Sequence, residues 1–373
     1  MLNVLKKNVI NIRGKKLSRK LLVFESDDWG SIRMPSIEIY NTLLNQKSIE
    51  LNDVFSKYDA LENSIDFVEL FNVLSKHKDF KGNSPIITAN TVVGNPNFNK
   101  INQSGFLEYH LETFLETYKS YPNSTDAFAI MQDGIKEKLY FPQFHAREHL
   151  NLPIWMELLQ NNNKAFIDAF NLGCFSIDFN DSSNRRNNLM AAYDYNSIES
   201  YGIIRDGINE GLKIFESIFG FKSKTTIAPC YVWDDKIEKI FLENGVHYFQ
   251  GSKFQNKPIL HSNKFQKVFH YNGQKGSLGQ TYFIRNGLFE PSLNKNLDWV
   301  DKCLESIEIA FKWNKPAIIG THRLNFIGSI IPENREANLK LFDKLLTEIL
   351  KKWPDVEFIN SAELIDEYSN NIK

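Results

Sequence analysis

Short apolar runs alternate along the chain with longer segments in which apolar residues recur every three to four positions. Leu21-Leu22-Val23-Phe24 is the first such run, and it reads as a buried strand. It stops at Glu25-Ser26-Asp27-Asp28-Trp29-Gly30, where the glycine lets the chain turn off the strand end. Ile37, Tyr40, Leu43 and Leu44 then share one face of a helix starting near Pro35-Ser36. A second helix over 64–77 carries Phe67, Leu70, Phe71 and Leu74 on one side, with Ser64 or Asp66 placed to cap it. The pattern predicts a strand over 85–90, a helix over 105–121, a strand over 138–144 running into His145, and a strand over 174–179. The polar stretch 180–188 reads as an exposed loop. A helix over 197–219 follows, with Gly220 as its stop. The strand over 225–228 ends at Pro229-Cys230-Tyr231-Val232-Trp233, and Asp234 can cap the helix beyond it. Strands over 246–250, 280–284, 316–320 and 356–359 complete the set. Helices over 298–313 and 333–352 lie among them, the latter burying Leu339, Phe342, Leu346 and Ile349.

Some eight repeats of strand and amphipathic helix predict a parallel sheet with helical crossovers. With no Gly-rich dinucleotide fingerprint, the expectation is an α/β fold of TIM-like barrel type, distorted where strand spacing is irregular. No linker or internal repeat divides the chain. It reads as a single domain over 1–373 with its core at about 21–365.

Composition narrows the partners. The chain has 373 residues and a net charge of −1, so no global basic field points to nucleic acid or an anionic membrane. Three widely spaced cysteines, Cys174, Cys230 and Cys303, form neither a disulfide framework nor a zinc-finger spacing. No apolar stretch is long enough for a transmembrane segment. The expected location is cytoplasmic, and no pattern specifies an oligomeric state.

Candidate chemistry collects just beyond strand ends. Asp27-Asp28, His145 with His149, Pro229-Tyr231-Trp233, Arg285-Asn286 and His322-Arg323 each follow a predicted strand. In an α/β barrel those ends form one rim, where active sites lie. Two adjacent carboxylates repel unless a cation or proton is shared. A metal on one Asp, with the other as base, resolves that cost; an Asx turn or helix cap is the plainer alternative. Two histidines four apart can share a metal, or can lie on an exposed helical face with Arg147 and Glu148. One Asp with two His makes a donor set that leaves positions open for water. His322 is open to three roles, as a third ligand, a core histidine or a general acid, and this constellation favours the acid. Trp29, Tyr231 and Trp233 are candidates for a sugar-stacking platform, with core packing as the alternative for each.

The order of these motifs resembles the polysaccharide deacetylase family (NodB-type homology domain), in particular the bacterial "polysaccharide (de)acetylase" group. Asp27-Asp28-Trp29-Gly30 is similar to the Asp-Asp-Phe-Gly of one carbohydrate deacetylase branch. The resemblance implies a distorted (β/α)7 barrel and a divalent metal ion, commonly zinc. It implies Asp28, His145 and His149 as metal ligands, Asp27 as catalytic base and His322 as general acid. The implied substrate is an N-acetyl or O-acetyl carbohydrate, such as an oligosaccharide or surface-glycan precursor. Trp29, Pro229, Tyr231, Trp233, Arg285 and Arg323 are the candidate substrate contacts. The chain departs from the family at its Arg-x-Pro-Tyr motif, which here reads Ile227-Ala228-Pro229-Cys230-Tyr231. The base-orienting Arg is missing, and Arg147, Arg285 and Arg323 are the candidates to replace it. Asp298-Trp299 and Glu290 are candidates for the family's Asp-and-Trp motif. Two other readings stand beside this one. One is a glycoside hydrolase pairing Asp27 or Asp28 with Glu148 or Glu290; the other is a non-catalytic sugar-binding protein.

Overall fold

Alternating side chains on β1 (Lys20–Trp29) divide the molecule into an inside and an outside. The computed structural model describes residues 8–178 and 186–370. In chain order the further strands joined to it by parallel pairing are β2 (Ile87–Val92), β3 (Tyr140–Ala146), β4 (Thr225–Ile227), β5 (Tyr248–Gly251), β6 (Thr281–Ile284), β7 (Gly287–Leu288), β8 (Ala317–His322) and β9 (Val356–Phe358). Parallel ladders join β1 through β6 in chain order. On its other side β1 pairs with β8, and β8 with β7. Only Arg285 and Asn286 separate β6 from β7. The Arg285 N–H donates to the Gly251 carbonyl and the Asn286 N–H to that of Ile318. One bent passage therefore leaves β5 and arrives at β8, standing in for a direct ladder between them. This is the distorted α/β barrel expected, with β9 paired to the entry of β1.

Outside the ring, Leu22 and Phe24 pack with residues of α1 (Ser64–Ser75), α3 (Trp299–Lys312) and α4 (Pro332–Lys352); α2 (Ile198–Phe219) covers β3. Inside and towards the strand entries, Leu21, Val23, Ile318 and Phe283 meet Leu364, Ile365 and Tyr368 of α5 (Ser361–Asn370). That helix plugs one end of the barrel with apolar side chains. Further along β1 the inward residues become Glu25 and Asp27, so the interior turns polar towards the strand ends. Gly320 of β8 is required there, because a Cβ on it would come 2.5 Å from Cδ of Arg285. No described helix is long and apolar enough to cross a membrane.

Several local expectations are corrected. The cap of α1 is Asn63, whose side chain accepts from the Asp66 N–H while Asp66 accepts from the Asn63 N–H. Residues 105–121 are not one helix. Gly105 and Phe106 both take positive φ (63° and 64°), which breaks helical continuation. Leu111–Thr113 instead pairs antiparallel with Gly94–Pro96, ahead of a short helix over Phe114–Ser120. Residues 174–178 form no strand, and the Asp178 N–H donates to the Ser48 carbonyl instead of a ladder neighbour. Residues 179–185 lie outside the described residues. Arg186, expected in an exposed loop, is buried in an ion pair with Asp194.

Candidate metal centre

Successive residues of a strand face opposite sides, so two adjacent carboxylates cannot both face one mouth without a bulge. The ladder between β1 and β2 contains one. Ser26 is opposite Ala89, but Trp29 is opposite Thr91, three steps against two. Asp28 absorbs the extra residue with φ of 76°, a left-handed conformation that Asp tolerates better than most residues. Asp27 keeps the inward direction of Glu25, and Asp28 turns over the rim.

Asp28 meets both histidines. Its Oδ1 lies 3.4 Å from His145 Nε2 and 3.3 Å from His149 Nε2, and the three side chains are buried. His145 is the penultimate residue of β3, and His149 follows in the loop rather than on a helix. The Nδ1–H of His145 donates to the Ile227 carbonyl at 2.7 Å, which leaves the Nε2 lone pair facing Asp28. Burial pushes His149 down to about 3, so its imidazole stays neutral and available as a donor. Ligand bonds of about 2.0–2.2 Å in a tetrahedral site place neighbouring ligand atoms about 3.3–3.6 Å apart. The Asp–His separations match that edge, and all three ligand atoms lie within 4.8 Å of one another. The donor set fits a divalent cation.

Asp27 is held separately. Arg285 clamps it with two bonds of 2.6 Å, Nη1 to Oδ2 and Nη2 to Oδ1. Asn90 Nδ2 donates to Oδ1 at 2.7 Å, and Arg285 Nε donates to Glu25 Oε2 at 2.9 Å. Burial pushes Asp27 up, but the Arg285 charge outweighs it and leaves the carboxyl below its ordinary range. Glu25, sharing the same guanidinium, is pushed above its ordinary value by burial. Of the three candidate arginines, Arg285 is the one that holds Asp27. Arg147 pairs with Glu148 and Glu210, and Arg323 with Asp59 and Glu62.

His322 stands directly opposite Asp27 in the β1–β8 register, its Nε2 3.8 Å from Asp27 Oδ2. Its Nδ1–H donates to Glu290 at 2.7 Å, and Asn325 donates to the same carboxylate. Burial pulls the imidazole down, but Glu290 raises it further, to about 10, so it is protonated at neutral pH. A cavity of about 240 Å³ opens over these groups, lined also by Arg33, Phe55, Asn188, Met190, Cys230 and Tyr231.

The remaining sequence candidates fall elsewhere. Trp29 is fully buried, stacked on Phe67 with centroids 5.5 Å apart, and its indole N–H donates to Ser26. Trp233 is buried against Phe249 and His270, its indole N–H on Glu238. Neither lines the cavity, and both are core residues. Pro229 is buried off the cavity wall, Arg323 is fully buried in its own ion pairs, and Arg285 reaches the carboxylates from inside the barrel. Tyr231 does line the cavity, with Cys230. Of the Asp-and-Trp candidates, Glu290 belongs to the site through His322, while Asp298 caps α3. Arg33, Phe55 and Asn90 were missed by sequence reasoning. Asn90 is the polar last residue of the strand expected over 85–90. Among the described residues, the carboxylates lining the cavity are Asp27 and Asp28, which share one wall. Glu148 and Glu290 are turned to Arg147 and His322. Among the described residues, these four carboxylates do not face each other across the cavity as a paired-carboxylate glycosidase would need. A larger groove of about 640 Å³ between Leu107, Tyr109, Pro153, Tyr195 and Ile203 includes none of the metal-site residues.

No protein family matches the chain by sequence, and no curated protein is similar to it. Three similar solved structures span different enzymes. One is 4-alpha-glucanotransferase from Thermococcus litoralis: 11% identity, TM-score 0.47, 95% of this chain and 41% of that one. Another is Puue allantoinase, with 10% identity, TM-score 0.47, and 95% and 91% covered. The third is the peptidoglycan deacetylase PdaC from Bacillus subtilis, with 10% identity, TM-score 0.36, and 95% and 93% covered. Likeness of this order leaves the functional reading to the site itself.

Proposed function

We propose that this chain is a metal-dependent carbohydrate deacetylase that hydrolyses an N-acetyl or O-acetyl group on an oligosaccharide or glycan precursor. The observation carrying the reading is that a clamped carboxylate and a protonated imidazole stand opposite each other beside a cluster of one Asp and two His. Asp28, His145 and His149 would hold the ion, and two nitrogens with one oxygen suit zinc. A divalent ion bound there supplies Lewis-acid polarisation of the acetyl carbonyl and of water.

The chain's own groups divide the proton work. Asp27 Oδ1 is filled by Arg285 and Asn90, whereas Oδ2 accepts, among the described residues, from Arg285 alone and faces His322. Oδ2 is therefore the atom that takes the proton from the attacking water. His322 keeps Nδ1–H on Glu290 and presents Nε2–H to the cavity, where it protonates the departing sugar nitrogen or oxygen as the acyl bond breaks. Arg285 and Glu290 act through these two side chains as positioning residues. Tyr231 and Phe55 supply ring faces on the cavity wall.

Acetate release from N-acetylated and O-acetylated sugar oligomers by metal-loaded protein tests the reading. Asp27→Asn and His322→Gln are each expected to lower kcat by about 10²–10⁴-fold. Absence of acetate from both substrate classes rejects it.

A further inference from the structure

Among the described residues, the charged groups at the barrel mouth pair off, Arg33 excepted. Asp27 takes Arg285, His322 takes Glu290, Arg323 takes Asp59 and Glu62, and Arg147 takes Glu148 and Glu210. Arg33 lines the same cavity as Asp28, His145 and His149, yet it has no carboxylate partner among the described residues. Its Nε is buried with no hydrogen-bond acceptor. The guanidinium lies 5.0 Å over the ring of Phe55, and that ring meets His322 edge-on at 5.2 Å. One aromatic ring thus separates the free guanidinium from the imidazole that faces the leaving group.

Burying a charged N–H without an acceptor is costly, and a fold keeps such a group where a ligand completes it. A guanidinium fork matches planar or tetrahedral oxyanions bidentately, and it stacks on aromatic faces as it does here on Phe55. The cavity, at about 240 Å³, is smaller than the roughly 300–1,000 Å³ of drug-sized pockets, which suits a single sugar unit with its substituent.

We propose that Arg33 recognises an anionic group, a carboxylate or a phosphate, carried by the sugar that is deacetylated, so that the substrate is an acidic carbohydrate. This rests on the deacetylase reading for the word substrate, but the binding claim stands on Arg33 alone.

The test is calorimetric titration of N-acetylglucosamine, its phosphate esters and the corresponding uronic acid into metal-free and metal-loaded protein, with acetate release followed in parallel. Wild type is expected to bind the phosphate or the uronate at least about ten times more tightly than the neutral sugar, the weight of one charge-assisted contact. The preferred compound tells phosphate from carboxylate. Arg33→Gln is expected to abolish the preference by weakening the acidic sugars at least about ten times more than the neutral one, and Arg33→Lys to keep part of it. Equal wild-type affinity for all of these sugars, no binding of any acidic sugar, or equal losses for neutral and acidic sugars in Arg33→Gln would each overturn the proposal. If Arg33→Gln does not fold, the wild-type comparison decides alone. Charge-dependent binding without acetate release keeps the Arg33 assignment and rejects deacetylation. Acetate release from neutral and acidic sugars alike, with equal affinities, does the reverse.

Discussion

Replacing Arg285 by Gln strips Asp27 and Glu25 of the guanidinium they share. Both carboxylates are buried, and the arginine contributes three bonds of 2.6–2.9 Å to them. Breaking a buried ion pair from one side costs about 3–5 kcal/mol, because the partner charge is left without compensation. At about 2–4 °C per kcal/mol for domains somewhat smaller than this one, the melting temperature falls by at most roughly 6–20 °C. The loss also carries a pH signature. In the wild type the Asp27 carboxyl lies below its ordinary value, so its stabilising contribution is full above the unfolded carboxylate range and is lost as pH falls through the folded value. Without Arg285 the largest influence opposing burial is lost, and the folded value rises. The variant's deficit is then greatest near neutral pH and shrinks as acid protonates Asp27 and Glu25. Calorimetric unfolding of wild type and Arg285→Gln from about pH 5 to pH 8 reads both quantities. The acid limb of kcat/KM is expected to move to higher pH in the same variant, because a base with a raised pKa is protonated sooner. A deficit below about 1 kcal/mol, or one independent of pH, would refute the claim that Arg285 is what keeps Asp27 ionised.

Two further outcomes follow from the site and the core. In Glu290→Gln, His322 loses the carboxylate that raises it to about 10, so the alkaline limb of kcat/KM shifts to lower pH. The wild type's stability advantage over that variant is expected to be full below the ordinary histidine value of about 6.5 and to fade as pH rises through about 10, which melting scans at the two ends measure. Trp29→Ala is expected to cost about 3–5 kcal/mol in denaturant unfolding, as a buried aromatic removed from the core. Trp29→Phe is expected to leave sugar affinity unchanged, where a stacking platform would lose it.

The barrel was legible because its strands are continuous apolar runs and its helices are strongly periodic, and both patterns survive burial on two sides. What escaped depended on geometry that periodicity does not carry. The break at Gly105-Phe106 lies in one pair of backbone angles, and the hairpin of Leu111–Thr113 with Gly94–Pro96 is too short to alternate visibly. The rim logic picked out Asp27, Asp28, His145, His149 and His322, which the fold does bring together. It overreached with Trp29 and Trp233, because a strand end also carries residues turned back into the core. The identity of the arginine on Asp27 was not readable. Arg285 reaches it through the interior, across the space left by Gly320, and no spacing in sequence records a contact between positions so far apart. Arg33 went unremarked for a related reason, since its lack of a partner is visible only once its neighbours are placed.

The proposed hydrolysis depends on the cluster of Asp28, His145 and His149 holding a metal. The most direct measurement is elemental analysis of protein purified without chelator, for wild type and for His149→Ala. The expected result is roughly one equivalent of a divalent metal in the wild type, with zinc foremost, and its loss in the variant. A wild type that carries no metal and takes up none from zinc, cobalt or nickel, or a His149→Ala protein that retains the full equivalent, would contradict it.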